Sequence, residues 1–231
     1  MKILALDSSA VAASVALCED GKLLAEYTLN NGNTHSETLL PMVEALLSKF
    51  NMTVNDVELF AASSGPGSFT GVRIGAATLK GLAFGKDKPC VEVSTLEALA
   101  QNLVMHCGLI CPVMNARRSQ VYTALFSSDG EKLTRLMPDS AISIAELDEA
   151  LSKYGEPIAF CGDGYDITLA ALEKTQSYPV PERLRHQSAY SVAQVALRNY
   201  LAKNYTDDAK LTVTYLRPSQ AERERMEREG N

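Results

Sequence analysis

KILALDSSAVAASVALCEDGKLLAEYTL, residues 2–29, reads as three strands in succession. Residues 2–7 are apolar after the lysine and end at Asp7, the pattern of a strand covered on both faces. Residues 12–18 and 22–29 form the next two. Between them Glu19-Asp20-Gly21 sets an Asp-Gly pair where a two-residue hairpin needs positive φ. Thr34-His35-Ser36-Glu37 then spells a capping box, opening a helix over 34–50. Leu39, Val43, Leu46 and Phe50 share one face of that helix, Leu40 and Leu47 lie beside it, and Pro41 is expected to bend it. A strand over 57–63, a second glycine-rich helix, a short strand over 91–93 and a helix over 95–105 complete the half.

The remainder repeats the scheme. Strands fall at 109–115, 120–126 and 131–137, with Ser127-Ser128-Asp129-Gly130 as the second hairpin turn, and a helix runs over 144–153. A strand at 158–161 enters Gly162-Asp163-Gly164. It is followed by a helix to about residue 174, a loop at 177–181 and a last amphipathic helix over 189–203. Residues 220–231, dense in Glu and Arg, read as an exposed helix or frayed tail. Two βββα units imply an α/β chain of two lobes related by duplication.

SSGPGSFTGVRIGAATLKGLAFG, residues 63–85, poses the functional question. Its glycine-rich start resembles a phosphate loop, but Gly71 is followed by Val72 and Arg73 rather than the Lys-Ser/Thr pair, and Gly65, Gly67 and Gly71 are misspaced for a dinucleotide fingerprint. A tight strand-to-helix turn is the better reading. In the helix beyond, Gly71, Gly75, Thr78 and Leu82 form one stripe and Val72, Ala76, Leu79 and Ala83 the next, with Arg73 and Lys80 the only charges. Gly75 and Gly81, each costing about 1 kcal/mol against alanine, make sense where another backbone packs close.

Hydrophobic residues make up 46% of the 231, charged residues 22%, and the net charge is −6, so unaided binding to a nucleic acid is disfavoured on average. Arg117-Arg118 and Arg183-Leu184-Arg185-His186 are the local basic exceptions. The five cysteines form no C-x-x-C, no Cys/His cluster has zinc spacing, and buried reduced thiols in a reducing cytoplasm are expected. The start MKILALDSS is too short an apolar run for a signal peptide, and no stretch is long enough to span a membrane.

On these residues the chain resembles the two-lobed fold shared by actin, sugar kinases and the Hsp70 chaperone ATPase, the ribonuclease-H-type (ASKHA) fold. Within it, ILALDSS (3–9), SGPGSFTGVRIGAATLKGLA (64–83), NARRSQVY (115–122) and YLRPSQAERE (215–224), supported by HSETLLP (35–41), resemble the TsaB family. That resemblance implies a first lobe over 1–105, a second over 106–205, and an extended segment with a charged tail over 206–231 that packs back on the first. It implies a non-catalytic scaffold that binds a TsaD-type catalytic paralogue. A TsaE-type ATPase joins, and threonylcarbamoyl is moved onto the adenosine beside a tRNA anticodon. It also implies self-association through the same helices, contact with tRNA only through the complex, no membrane and a cytoplasmic location.

From the resemblance, partner contacts are expected on helices 34–50 and 69–84, at His35, Leu39, Met42, Val43, Leu46, Arg73, Ala76, Ala77 and Lys80. A vestigial nucleotide cleft is expected at Asp7, Ser8, Ser9, Asn115, Gly162 and Gly164. Active members of the fold hold magnesium-nucleotide with acidic residues at both strand ends. Here Asn115 stands where TsaB chains commonly show aspartate, so no cofactor is expected for this chain alone, and ATP or ADP with magnesium only at the level of the complex. No catalytic residue or metal ligand is expected. An ATPase or small-molecule kinase is the alternative. A metallopeptidase is disfavoured because His35, His106 and His186 form no H-x-x-x-H pair.

Overall fold

The structure, a computed structural model, describes residues 1–217 of the chain. The first half contains β1 (Lys2–Asp7), β2 (Ala13–Glu19), β3 (Lys22–Leu29), α1 (His35–Ser48), β4 (Leu59–Gly65), α2 (Phe69–Ala83), β5 (Cys90–Ser94) and α3 (Thr95–Gln101). The second contains β6 (Gly108–Asn115), β7 (Gln120–Ser128), β8 (Leu133–Ser143), α4 (Ile144–Leu151), β9 (Ile158–Cys161), α5 (Tyr165–Leu169), β10 (Ser177–Tyr178) and α6 (Ala189–Leu201).

The strands form two five-stranded sheets of order β3-β2-β1-β4-β5 and β8-β7-β6-β9-β10. β1 runs antiparallel to β2 and parallel to β4, and β6 runs antiparallel to β7 and parallel to β9. Each strand of one half thus has its counterpart five places on, and the chain has the duplicated, two-lobed actin-like α/β fold. The hairpin between β2 and β3 turns on Asp20 (φ 48°) and Gly21 (φ 81°), the positive values that favoured an Asp-Gly pair.

Several element ends depart from the sequence reading, those of α3 and α5 for a tertiary reason. At α1 the Thr34 hydroxyl donates to the Glu37 carboxylate (2.7 Å) and accepts no helix N–H, while the helix continues through Pro41 to Ser48. α3 ends at Gln101, short of 105, where the Asn102 amide turns to the carbonyls of Leu184 and His186. α5 ends at Leu169 rather than near 174, because Asp148 of α4 draws in the backbone N–H groups of Glu173, Lys174 and Thr175. β8 runs six residues beyond 137, carrying Pro138 at a sheet edge where a missing N–H is tolerated, in the irregular register between Thr123↔Ser140 and Leu125↔Met137.

The last helix of each half crosses to the other sheet. Leu96, Leu99, Ala100 and Leu103, in and just beyond α3, pack with Ile110, Phe126 and Phe160 of the second sheet. Ala189, Val192, Val195 and Ala196 of α6 pack with Ile3, Ala16 and Val91 of the first. A division at 105/106 therefore separates the sheets but not the cores. Residues 206–217 continue along the first lobe: Thr206 exchanges backbone bonds with Cys90, the Thr214 N–H donates to Ser64 O (2.7 Å), and Leu211 is buried beside Leu79. The charged stretch 220–231 lies outside the described residues.

Candidate functional site

A cleft of about 850 Å³ lies between the lobes, lined among others by Ser9, His35, Phe69, Asn115, Arg117 and Tyr215. Asp7 closes β1 behind it and is buried, its Oδ1 accepting the Ser9 N–H (2.9 Å) and the Ser9 hydroxyl (2.6 Å). Its Oδ2 and the Ser63 Oγ have no partner among the described residues. Burial pushes the Asp7 carboxyl above its ordinary range, and the Ser9 donors only partly oppose this. Ser8 is occupied too, its hydroxyl donating to Gly71 O (2.9 Å).

The 65–71 loop is a packed turn. A Cβ on Gly67 would sit 2.4 Å from Ser9 O, one on Gly71 2.1 Å from Ser8 O, and one on Gly75 2.4 Å from Ser8 Oγ. The Ser68 N–H donates to Ser9 O (2.7 Å), and the Ser68 hydroxyl caps α2 by accepting the Gly71 N–H. Glycine is required here so that the loop can press on the β1–β2 connection. The counterpart in the second lobe repeats this. After β9, Gly162 has φ +105° and a Cβ there would lie 2.1 Å from Val113 O, while the Gly164 N–H donates to that carbonyl (3.0 Å). Asn115 closes β6: its N–H donates to Asp163 Oδ1 (3.1 Å) and its own Oδ1 accepts the Arg117 N–H (2.8 Å).

Of the six expected cleft residues, Ser9 and Asn115 line the cavity, whereas Asp7, Ser8, Gly162 and Gly164 stand behind it as its supports. Asp163 is the one acidic side chain on the lining among the described residues. No group of three His, Cys, Asp or Glu side chains gathers to hold a metal among the described residues. His35 Nε2 donates to Ala10 O (2.7 Å) and His106 stacks on Tyr178. Four cysteines are buried and Cys107 is exposed, and burial pushes the Cys18 and Cys111 thiols up to about 12.

The helix pair requires a correction. Leu39, Val43, Leu46 and Ala76 are buried in the core of the first lobe with Leu6, Val15 and Phe60, whereas Met42, largely buried there too, also lines a surface groove with Pro41 and Ala45. The apolar periodicity of α1 marked its inward stripe. Arg73 and Lys80 also serve the chain itself. Arg73 lies over the Phe69 ring (3.8 Å), and its Nε donates to the Tyr215 hydroxyl; Lys80 donates to Ala209 O (3.3 Å). Ala77 is exposed and His35 half-buried. The outward face comprises Leu40, Pro41 and Ala45 of α1 with Ala77 and Gly81 of α2, and Phe84, 77% exposed, stands at its end. Gly81, unlike Gly75, has nothing among the described residues within 4 Å of where a Cβ would be. Tyr215 and Arg217, which reach the cleft, fall in the YLRPSQAERE stretch, where no local spacing or turn pattern assigns them a role.

Residues 22–224 match the family described as TsaD: tRNA N6-adenosine threonylcarbamoyltransferase. The tRNA threonylcarbamoyladenosine biosynthesis protein TsaB of Bacillus subtilis (strain 168) is 38% identical over 162 residues, covering 70% of this chain and 71% of that one. The protein of the same name from Escherichia coli (strain K12) is 39% identical over 131 residues, 56% of each chain, so that match spans about half of it. Among solved structures, a Pseudomonas aeruginosa protein described as uncharacterized with similarity to peptidase YEAZ superposes with a TM-score of 0.79 at 25% identity, covering 94% of this chain and 99% of that one. The glycine-built turns at both strand ends, the duplicated sheets and these similarities agree: the chain belongs to the TsaD family and, within it, to the TsaB (YeaZ-type) proteins of tRNA threonylcarbamoyladenosine biosynthesis.

Proposed function

We propose that this chain is a non-catalytic scaffold that binds and supports a TsaD-type catalytic paralogue during threonylcarbamoylation of the adenosine beside the tRNA anticodon. The observation that carries this reading is the state of the two strand ends where the fold's active members place metal-binding carboxylates. One is a buried Asp7 bound to its own Ser9, and the other is the amide of Asn115, bound to Arg117 N–H. A neutral amide offers magnesium none of a carboxylate's charge.

The docking face assigned to the paralogue is the outward side of α1 and α2 at Leu40, Ala45, Ala77 and Gly81. Gly81 costs helix stability, and among the described residues nothing lies within 4 Å of where its Cβ would be; a partner backbone approaching there would use the missing side chain. The same face serves self-association, and a TsaE-type ATPase and magnesium-nucleotide belong to the assembled complex.

The test is to mix the chain with the TsaD-type protein of the same genome and follow co-elution, with Ala77→Glu and Leu40→Glu as variants. Co-elution lost in both variants, with unchanged folding, supports the surface. ATP turnover by the isolated chain at enzyme-like rates would favour the kinase or ATPase alternative instead.

A further inference from the structure

The described residues contain eight arginines, of which two line the cleft and two more adjoin its lining residues. Arg117 and Arg217 line it, Arg118 follows the first in the β6–β7 turn, and Arg73 lies over Phe69 and beside Tyr215, both of which line it. None of the four is within ion-pairing distance of a carboxylate among the described residues, whereas Arg135, Arg185 and Arg198 are. In a chain of net charge −6 this is a local reversal of sign. The groups are physically linked: Arg217 Nη1 donates to Ala116 O (3.1 Å), which fixes the aromatic side of the mouth to the arginine turn. Phe69 and Tyr215 stack with ring centroids 4.9 Å apart. Arg117, Arg118 and Ser119 all have positive φ (62°, 54° and 56°), an uncommon run for residues other than glycine, and both arginines are exposed.

We infer that this rim binds the phosphodiester backbone of a single-stranded RNA loop, so that the chain contacts RNA directly, beyond the scaffold role on which this inference rests. The arginines take the phosphates, and the exposed Tyr215, backed by Phe69, offers a ring for an unpaired base. A free nucleotide held inside the cleft is the less suitable occupant. Interior backbone groups that would cradle it are already paired, the Ser68 N–H to Ser9 O and the Gly164 N–H to Val113 O, while Arg117 and Arg118 are exposed.

The experiment uses the complex of this chain with its TsaD-type partner and a fluorescent anticodon stem–loop RNA, titrated over a range of salt. Replacing Arg117 and Arg118 together by Glu should weaken binding about ten- to a hundredfold at low salt and flatten the log–log salt slope by about one to two. Arg183→Glu, an exposed site elsewhere, should change neither beyond a small uniform effect. A complex that forms normally and binds the RNA with unaltered affinity and slope overturns the inference and leaves the scaffold reading standing. Failure of the wild-type chain to form the complex counts against that scaffold reading, and the RNA titration is then run on the chain alone with the same variants and the same criteria. If the double variant loses ATP binding but keeps RNA binding, the rim is a small-phosphate site and the RNA inference is wrong.

Discussion

The two lobes share one strand order and differ in how they treat a buried carboxylate. In the first, Asp7 is buried with donors from a single residue, Ser9, and one oxygen unpaired. In the second, Asp148 lies nearer the surface, its side chain still largely covered, and accepts the N–H groups of Glu173, Lys174 and Thr175. Burial pulls both carboxyls upward. At Asp7 it wins, whereas at Asp148 the three backbone donors and the Thr175 contact outweigh it and hold the group below its ordinary range. Depth and donor number together decide which covered acid keeps its charge.

The largest effect should come from removing the well-satisfied acid. Asp148→Ala leaves three part-buried N–H groups without their acceptor and should cost about 2–3 kcal/mol in denaturant unfolding. The native carboxyl is held low, so its stabilisation is complete above the ordinary carboxylate range and should disappear as pH falls through the native value. A variant within error of the wild type would show that the α5–β10 loop does not depend on Asp148.

Next come the two glycine turns. Gly71→Ala and Gly162→Ala drive a Cβ to 2.1 Å from a backbone oxygen, and Gly162 is in addition left-handed. Each should destabilise by about 2–3 kcal/mol. Gly81→Ala, with open space around it, should stabilise the isolated chain by up to about 1 kcal/mol. If all three alanines behaved alike in thermal unfolding, the distinction between packed and open glycines would be lost.

Asp7→Asn reverses the usual expectation for a buried acid. The native carboxyl is raised, so the wild type is most stable at low pH and loses stability as pH climbs from the ordinary carboxylate range through the native value. The amide keeps an oxygen for Ser9 and presents an N–H to the unpartnered Ser63 hydroxyl. A gain on the order of 1 kcal/mol is expected at neutral pH and little at pH 3, read from urea midpoints at the two pH values. The smallest effect is chemical. With Cys90 pushed up to about 11 and Cys18 and Cys111 to about 12 by burial, a thiol reagent at neutral pH should label Cys107 alone in the folded chain.

Local rules carried the sequence reading where a short stretch sets its own conformation. The Asp-Gly turn at Asp20 and Gly21 and the alternation of strand and turn in both halves are of this kind. The helix faces were legible only as stripes. Leu39, Val43 and Leu46 repeat at helical spacing whether they face a sheet or a partner, and burial against Leu6 and Phe60 decided it. The early end of α5 was unreadable because Asp148, the group that draws in its chain, lies in another helix.

By itself the sequence determined that this chain is a duplicated α/β protein with glycine where backbones meet, since hydrophobic period and turn chemistry act over a few neighbouring residues. Only the tertiary structure decided that α3 and α6 exchange sheets, that Arg73 and Lys80 hold the chain's own 206–217 segment, and that Arg117 and Arg217 line one cleft. Those facts depend on contacts between residues up to more than a hundred positions apart, and the packing of sheets and helices against one another sets such contacts.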